Sequence, residues 1–173
     1  MRDMSVVRYD ARWPTAYEEE STHLLAVLGA VIVSIHHIGS TAVPDLAAKP
    51  VIDILMEVRD LQELDGHDEA MRSIGYVPRG EYGIPGRRYY PKGGDARTHH
   101  VHAFTVGDRH VAEHIAFRDY LRAHPHVAAE YADVKRKAAA AHGSDPEGYQ
   151  AGKHEFVFNT LGEAVAWAKS GKA

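Results

Sequence analysis

The residues with the clearest chemical content are a Gly39-Ser40-Thr41 turn and, further along, a lone carboxylate, Asp53, inside an otherwise apolar run. Gly39 has no Cβ, so it can take a positive φ and let the backbone approach a ligand closely. Ser40 and Thr41 add hydroxyls and N–H groups suited to phosphate oxygens. Asp53 would supply a hard oxygen ligand for a divalent cation bridging such phosphates; its structural alternative is to cap a turn or pair with a buried Lys or Arg. His100 and His102 stand two apart, and alternate residues of a strand share a face. If their strand neighbours that of Asp53, the three side chains form a two-histidine, one-carboxylate cluster able to hold Zn²⁺, Mn²⁺ or Fe²⁺. The imidazoles could instead contact phosphate or a substrate carboxylate, or fill a polar core.

Other residues flank this set. Lys49 precedes the Asp53 strand within reach of a phosphate, or is a solvated ammonium. Arg88, on an expected hairpin opposite the site, could clamp phosphate with two parallel bonds. Tyr89 or Tyr90 could stack on a base, although solvent-facing strand residues show the same pattern. His36 and His37 point to opposite faces, and His36 reads as a half-buried strand residue. His110 and His114 have a helical metal-binding spacing, but Glu113 is not placed as in a zincin, and in a chain with 13 histidines the spacing reads as coincidence. Gly83-Ile84-Pro85-Gly86 is not a phosphate loop, since no Lys-Ser or Lys-Thr follows it.

The elements that must position these groups are legible from pattern. Pro14 opens a helix with Tyr17, Leu24, Leu25 and Leu28 at helical spacing, and Gly29 stops it. Strands are expected over residues 30–38 and 50–58. A helix over 60–73, closed by Gly75, should cross one face of the sheet. A strand and hairpin turn over 87–94 lead to a return strand over 98–106. Three helices follow over 111–123, 125–141 and 145–168, with breaks at His124-Pro125 and Gly143-Ser144. Residues 170–173 are expected to fray. The class is α+β.

The bulk composition, 45% hydrophobic and 25% charged over 173 residues, sets aside the disordered and fibrous classes. The length suits a single domain, residues 1–173, with a sheet-containing core over about 1–108 and a helical half over about 109–170. The absence of cysteine excludes disulfides, thiolate zinc sites and Cys nucleophiles, and fits a reducing cytoplasm. No apolar stretch approaches the roughly 18 residues of a membrane span, and Met1 to Ser5 lack a basic start followed by an apolar core. A cytoplasmic protein without a membrane partner is expected. The net charge of −4 argues against binding duplex nucleic acid, although histidine protonation near pH 6 would erase part of it.

The stretch His37-Ile38-Gly39-Ser40-Thr41-Ala42-Val43-Pro44, with Leu46, Ala48-Lys49-Pro50 and Ile52-Asp53-Ile54 after it, resembles the GrpB family, a branch of the nucleotidyltransferase-fold superfamily. Thr98-His99-His100-Val101-His102 resembles the family's His-rich strand. Phe117-Arg118-Asp119-Tyr120-Leu121, with Tyr131, Lys135, Tyr149, Lys153 and Phe156, resembles its helical C-terminal half. The resemblance implies a nucleotidyltransferase-like mixed sheet with flanking helices and a helical C-terminal part. It also implies a nucleoside triphosphate substrate, Mg²⁺ or Mn²⁺ as cofactor with Zn²⁺ a further candidate, and transfer of a nucleotidyl group to a small-molecule acceptor.

On this reading Gly39, Ser40, Thr41, Lys49, Arg88 and Lys153 contact the nucleotide and its phosphates. Asp53 holds the metal, and His100 and His102 serve as further ligands or as general base. The positions from Arg118 to Lys153 line the far wall of a cleft, or form inter-helix salt bridges with Asp119, Asp133 or Glu155. The superfamily sets two acidic residues two apart on the strand, and here the second position is Leu55. Glu57 shares the face of Asp53 but lies roughly 13 Å away at strand rise. That departure keeps a second reading open: a non-catalytic nucleotide- or phosphometabolite-binding or accessory module, consistent with family relatives fused to a dephospho-coenzyme A kinase domain. Acceptor, base preference and oligomeric state stay open.

Overall fold

The computed structural model describes residues 3–171. Met1 and Arg2, part of the N-terminal stretch read above, lie outside the described residues. So do Lys172 and Ala173 of the segment expected to fray, whereas the Ser170 N–H still donates to Ala166 O at the end of the last helix.

Helix α1 spans Trp13–Leu28, with a proline in its first turn, and ends at Gly29, whose φ of 54° is costly for any residue with a Cβ. Strand β1 (Ile32–Ile38) runs into a single 3₁₀ turn, Ser40–Ala42, and β2 spans Ile52–Val58. The single helix expected over 60–73 is two short ones, α2 (Leu61–Asp65) and α3 (Asp68–Ser73). Asp60 caps the first by accepting from the Gln62 N–H. The break falls at Gly66 and His67: glycine is a weak helix former, and the His67 N–H turns back to Leu64 O while its Nδ1 lies 2.9 Å from Glu63 O. Strands β3 (Arg88–Lys92) and β4 (His99–Thr105) follow. Helices α4 (Arg109–Ala123), α5 (Pro125–His142) and α6 (Pro146–Lys169) complete the chain, with Asp108 and Asp145 capping α4 and α6. No helix among the described residues is long and apolar enough to cross a membrane.

The sheet order is β1-β2-β4-β3. β1 and β3 run antiparallel to their neighbours, while β2 and β4 pair in parallel. Both faces are covered, which is why β2 reads as almost continuously apolar. On one face Ile52, Ile54, Met56 and Val58 pack with Tyr90, Val101 and Ala103 against Leu24, Leu28, Leu64 and Met71 of α1 to α3. On the other, Leu55 packs with Ile38 and Phe104 against Val111 of α4. The helical half closes a third cluster, in which Val43, Leu46 and Ala47 meet Leu121, Val127, Ala128, Tyr131 and Ala132.

One buried carboxylate ties α1 to the sheet edge. Glu20, 6% exposed, accepts from the Tyr76 hydroxyl at 2.7 Å and from Lys92 Nζ at 2.8 Å. Glu20→Ala leaves both donors without their acceptor and is expected to cost about 2 kcal/mol in urea denaturation. A loss below about 0.5 kcal/mol, the scale of ordinary surface changes, would show that the network does not hold α1 in place.

Candidate functional site

The parallel register places Asp53 opposite His100 and Leu55 opposite His102. Because side chains alternate, Asp53, His100 and His102 emerge on one face. His102 Nε2 and His100 Nδ1 lie 3.2 and 3.3 Å from the same oxygen, Asp53 Oδ1. Burial acts to raise the Asp53 pKa, but the hydrogen bonds and charge of His100 and His102 outweigh it and hold the carboxyl well below the usual range. It is an anion at any working pH.

Three ligand atoms, one from each of these residues, lie within 4.8 Å of one another, the spacing of a mononuclear metal site. The remaining ring nitrogens, His100 Nε2 and His102 Nδ1, are buried and have no hydrogen-bond partner among the described residues. A divalent cation held between Asp53 Oδ1 and the nitrogens that face it, His100 Nδ1 and His102 Nε2, fits this donor set. Two imidazoles suit Mn²⁺ or Zn²⁺ better than Mg²⁺, which prefers oxygen ligands and keeps its waters.

Gly39 faces this carboxylate. Its φ of 72° and ψ of −172° lie in a region open essentially to glycine alone. A Cβ there would stand 2.7 Å from Asp53 Oδ2. The turn thus brings bare backbone against the acid, and the Ser40 hydroxyl has no hydrogen-bond partner among the described residues. Thr41 differs from expectation: it is 2% exposed, and its hydroxyl lies 2.9 Å from His37 Nε2. His37 is itself stacked on Tyr17, with ring centroids 4.8 Å apart. The Thr41 hydroxyl therefore braces the turn, leaving Ser40 as the side chain open to a ligand.

The cluster opens onto a cleft of about 770 Å³ between the sheet and the helical half. Lys49 and Lys153 both line it, their ammonium groups 4.6 and 5.2 Å from the centre of the Tyr149 ring. Arg88 does not reach it. Arg88 is bound by Asp65 at 2.6 and 2.9 Å on the opposite face of the sheet, beside Tyr90, whose hydroxyl donates to Asp68. The reason is strand parity: residues 87 and 89 face the cleft, and residues 88 and 90 face α2 and α3. Glu57 also stands apart from the acid, 3.1 Å from His36 Nε2.

Several lining residues escaped the motif reading. Arg87 enters by the same parity that brings in Tyr89, expected above as a base-stacking candidate, and Tyr82 by a loop that carries it at φ 46°. His114 lines the cleft 5.8 Å from the His102 ring, whereas His110 is bound by Asp108 at 2.7 Å. Burial, aided by His102, lowers the His114 pKa to about 4, so this ring is neutral at physiological pH. Arg118 pairs with its neighbour Asp119 within α4 rather than across helices, and also donates to His37 O at 3.1 Å. The position resembling a second acidic ligand, Leu55, is fully buried between Ile38 and Phe104.

Lys135 is 2% exposed and donates to Ala47 O from beneath Lys49 and Lys153. Burial first, then Lys153, Arg136 and Lys49, pulls its ammonium from the usual 10.5 down to about 7. Between those values the unfolded chain binds the proton that the fold rejects, so stability rises with pH across that window. Relative to wild type, Lys135→Met is expected to remove about 2 kcal/mol of the gain between pH 7 and 9, read by urea denaturation. Equal gains in the two proteins would refute the buried amine as its source.

The chain matches known proteins over nearly its whole length. The UPF0157 protein YqkA of Bacillus subtilis is 45% identical over 168 residues, covering 97% of this chain and 49% of that protein, so the chain spans about half the length of this relative. The crystal structure of the conserved protein GrpB from Enterococcus faecalis has a TM-score of 0.90 at 38% identity, covering 94% of this chain and 98% of that one. Terminal uridylyl transferase 4 from Trypanosoma brucei, solved with bound CTP, has a TM-score of 0.50 at 16% identity over 88% of this chain and 50% of that one. That likeness is one of fold: the four-stranded mixed sheet and its helices are nucleotidyltransferase-like. The model of the GrpB protein family matches residues 3–163, and the chain belongs to that family.

Proposed function

We propose that this chain binds a nucleoside triphosphate together with a divalent cation and transfers a nucleotidyl group to a small-molecule acceptor. The observation that carries this reading is the Asp53 carboxylate, set between His100 and His102 and faced by the bare backbone of Gly39, at the floor of a cleft in a nucleotidyltransferase-like fold. The Ser40 hydroxyl and the turn's N–H groups would take terminal phosphates, with Lys49 and Lys153 neutralising their charge. Asp53 and one of the two histidines would hold Mn²⁺ or Mg²⁺, which would supply charge neutralisation at the reacting phosphate, leaving the other imidazole as general base.

In the transfer the acceptor's hydroxyl oxygen forms a bond to the α-phosphorus, and the bond from that phosphorus to the oxygen bridging the β-phosphate breaks. Pyrophosphate leaves, and the hydroxyl proton passes to an imidazole of the His100 and His102 pair. The remaining work is positioning and electrostatic stabilisation, as expected for phosphoryl chemistry.

Leu55 favours a second reading, nucleotide binding without catalysis. A single carboxylate holds the cation less firmly than two, and the neighbours of Leu55 leave no room for another charge. The two readings separate on pyrophosphate release in the presence of candidate acceptors, which only the first predicts.

Thermal melting with triphosphates and Mn²⁺, Mg²⁺ or Zn²⁺ tests the shared premise. A nucleotide at a hundredfold excess over its dissociation constant adds about 2.7 kcal/mol of stability. We expect a metal-dependent rise in Tm, larger with Mn²⁺ than with Mg²⁺, that disappears in Asp53→Ala. No rise with any triphosphate, or an undiminished rise in the variant, would overturn the proposal.

A further inference from the structure

The cleft holds a cation whose charge nothing in the fold balances. Arg87 is 7% exposed, yet no carboxylate among the described residues pairs with it. Its Nε donates to Glu81 O at 3.1 Å and its Nη2 to Tyr82 O at 2.7 Å, both neutral carbonyls. The guanidinium carbon lies 4.9 Å from the centre of the Tyr89 ring. Nη1 has no hydrogen-bond partner among the described residues. Withdrawing a guanidinium from water without a counter-charge costs several kcal/mol. Its planar fork is the donor best matched to a carboxylate or phosphate.

Its position separates it from the cations assigned to the nucleotide. The sheet order puts β3 at the edge opposite β1. The Gly39 turn follows β1 and Lys49 precedes β2. Lys135 donates to Ala47 O, and both Lys49 and Lys153 lie against Tyr149. The lysines therefore gather on the β1–β2 side of Asp53, whereas Arg87 lies beyond His100 and His102 on the β3 side. Tyr82, 65% exposed and stacked on Tyr89 at 5.1 Å, walls this flank from solvent. A triphosphate seated along the lysines leaves the Arg87 flank open, next to the same carboxylate.

We propose that the Arg87 flank, bounded by Tyr82 and Tyr89, is a second anion site that binds an oxyanion group, phosphate or carboxylate, of the acceptor, so that the acceptor is itself an anionic small molecule. Its role as acceptor rests on the transferase reading. The anion site rests on Arg87 alone.

The test is an amide NMR titration of the chain with inorganic phosphate and, separately, succinate, without nucleotide or metal. Saturable shifts are expected at the amides of residues 82–84, 86 and 87. Arg87→Gln keeps a donor for the carbonyls but removes the charge, and should weaken binding about tenfold or more; Arg87→Lys keeps the charge and should lose about threefold or less. Lys153→Met should leave these shifts in place. The tighter of the two anions names the acceptor's group. Shifts confined to residues 39–41, or equal losses in Arg87→Gln and Arg87→Lys, would overturn the proposal, the latter because Arg87 would then only order the loop. The readout needs no triphosphate, so failure of nucleotide binding and failure of this site are told apart.

Discussion

The parallel pairing of β2 with β4 is the constraint on which the cleft depends. It brings Asp53 and His100, far apart in the chain, into direct register, and puts His102 one step along the same face. A parallel pair cannot be closed by a tight turn, so α2, α3 and β3 must all be laid down before the histidines meet the acid. A one-residue slip would turn both imidazoles to the α1 face. The apolar row on that face, Ile54 and Met56 with Val101 and Ala103, makes such a slip costly, because it would drive His100 and His102 into the core.

The second dependency joins the two halves. Three basic side chains of the helices donate to backbone carbonyls at the end of β1 and in the segment after it. Arg118 bonds His37 O at 3.1 Å, Arg122 bonds Ala42 O at 2.8 Å, and Lys135 bonds Ala47 O. Bonds from charged donors are roughly twice as strong as neutral ones. They hold the Gly39 turn from behind while the Val43, Leu46 and Ala47 cluster seals it against α4 and α5. The geometry of the turn is thus set as much by the helical half as by the strand that leads into it.

Electrostatically the cleft is lopsided. Two carboxylates, Asp53 and Glu147, share its walls with Lys49, Lys153, Arg87 and the partly neutral amine of Lys135. Such an excess of positive charge favours an anionic occupant, and the lowered ammonium of Lys135 reports first its burial and then the cations beside it. Leu55 sharpens the contrast. At the position two residues after Asp53, the fold has a core side chain packed on Ile38 and Phe104.

Much of this was legible in the residues themselves. The α+β order, the glycine before Ser40, the strand carrying Asp53 and the two-residue spacing of the histidines all follow from local rules of sterics and side-chain alternation. Alternation also carried the parity that selects Arg87 over Arg88, but not the sign: which face of β3 meets the cleft depends on its pairing with β4. The break at Gly66 and His67 turned on a local competition for hydrogen bonds that helical spacing does not register. His114 and Lys135 lay in ordinary helical patterns, and only the packing of α4 and α5 against the sheet brings them to the wall. The sequence by itself determined which elements form and which chemistry each can carry, because those depend on neighbours a few residues apart. Which groups face one another, and which charges go unbalanced, the tertiary structure alone decided, because burial and electrostatic balance are properties of the assembled cleft.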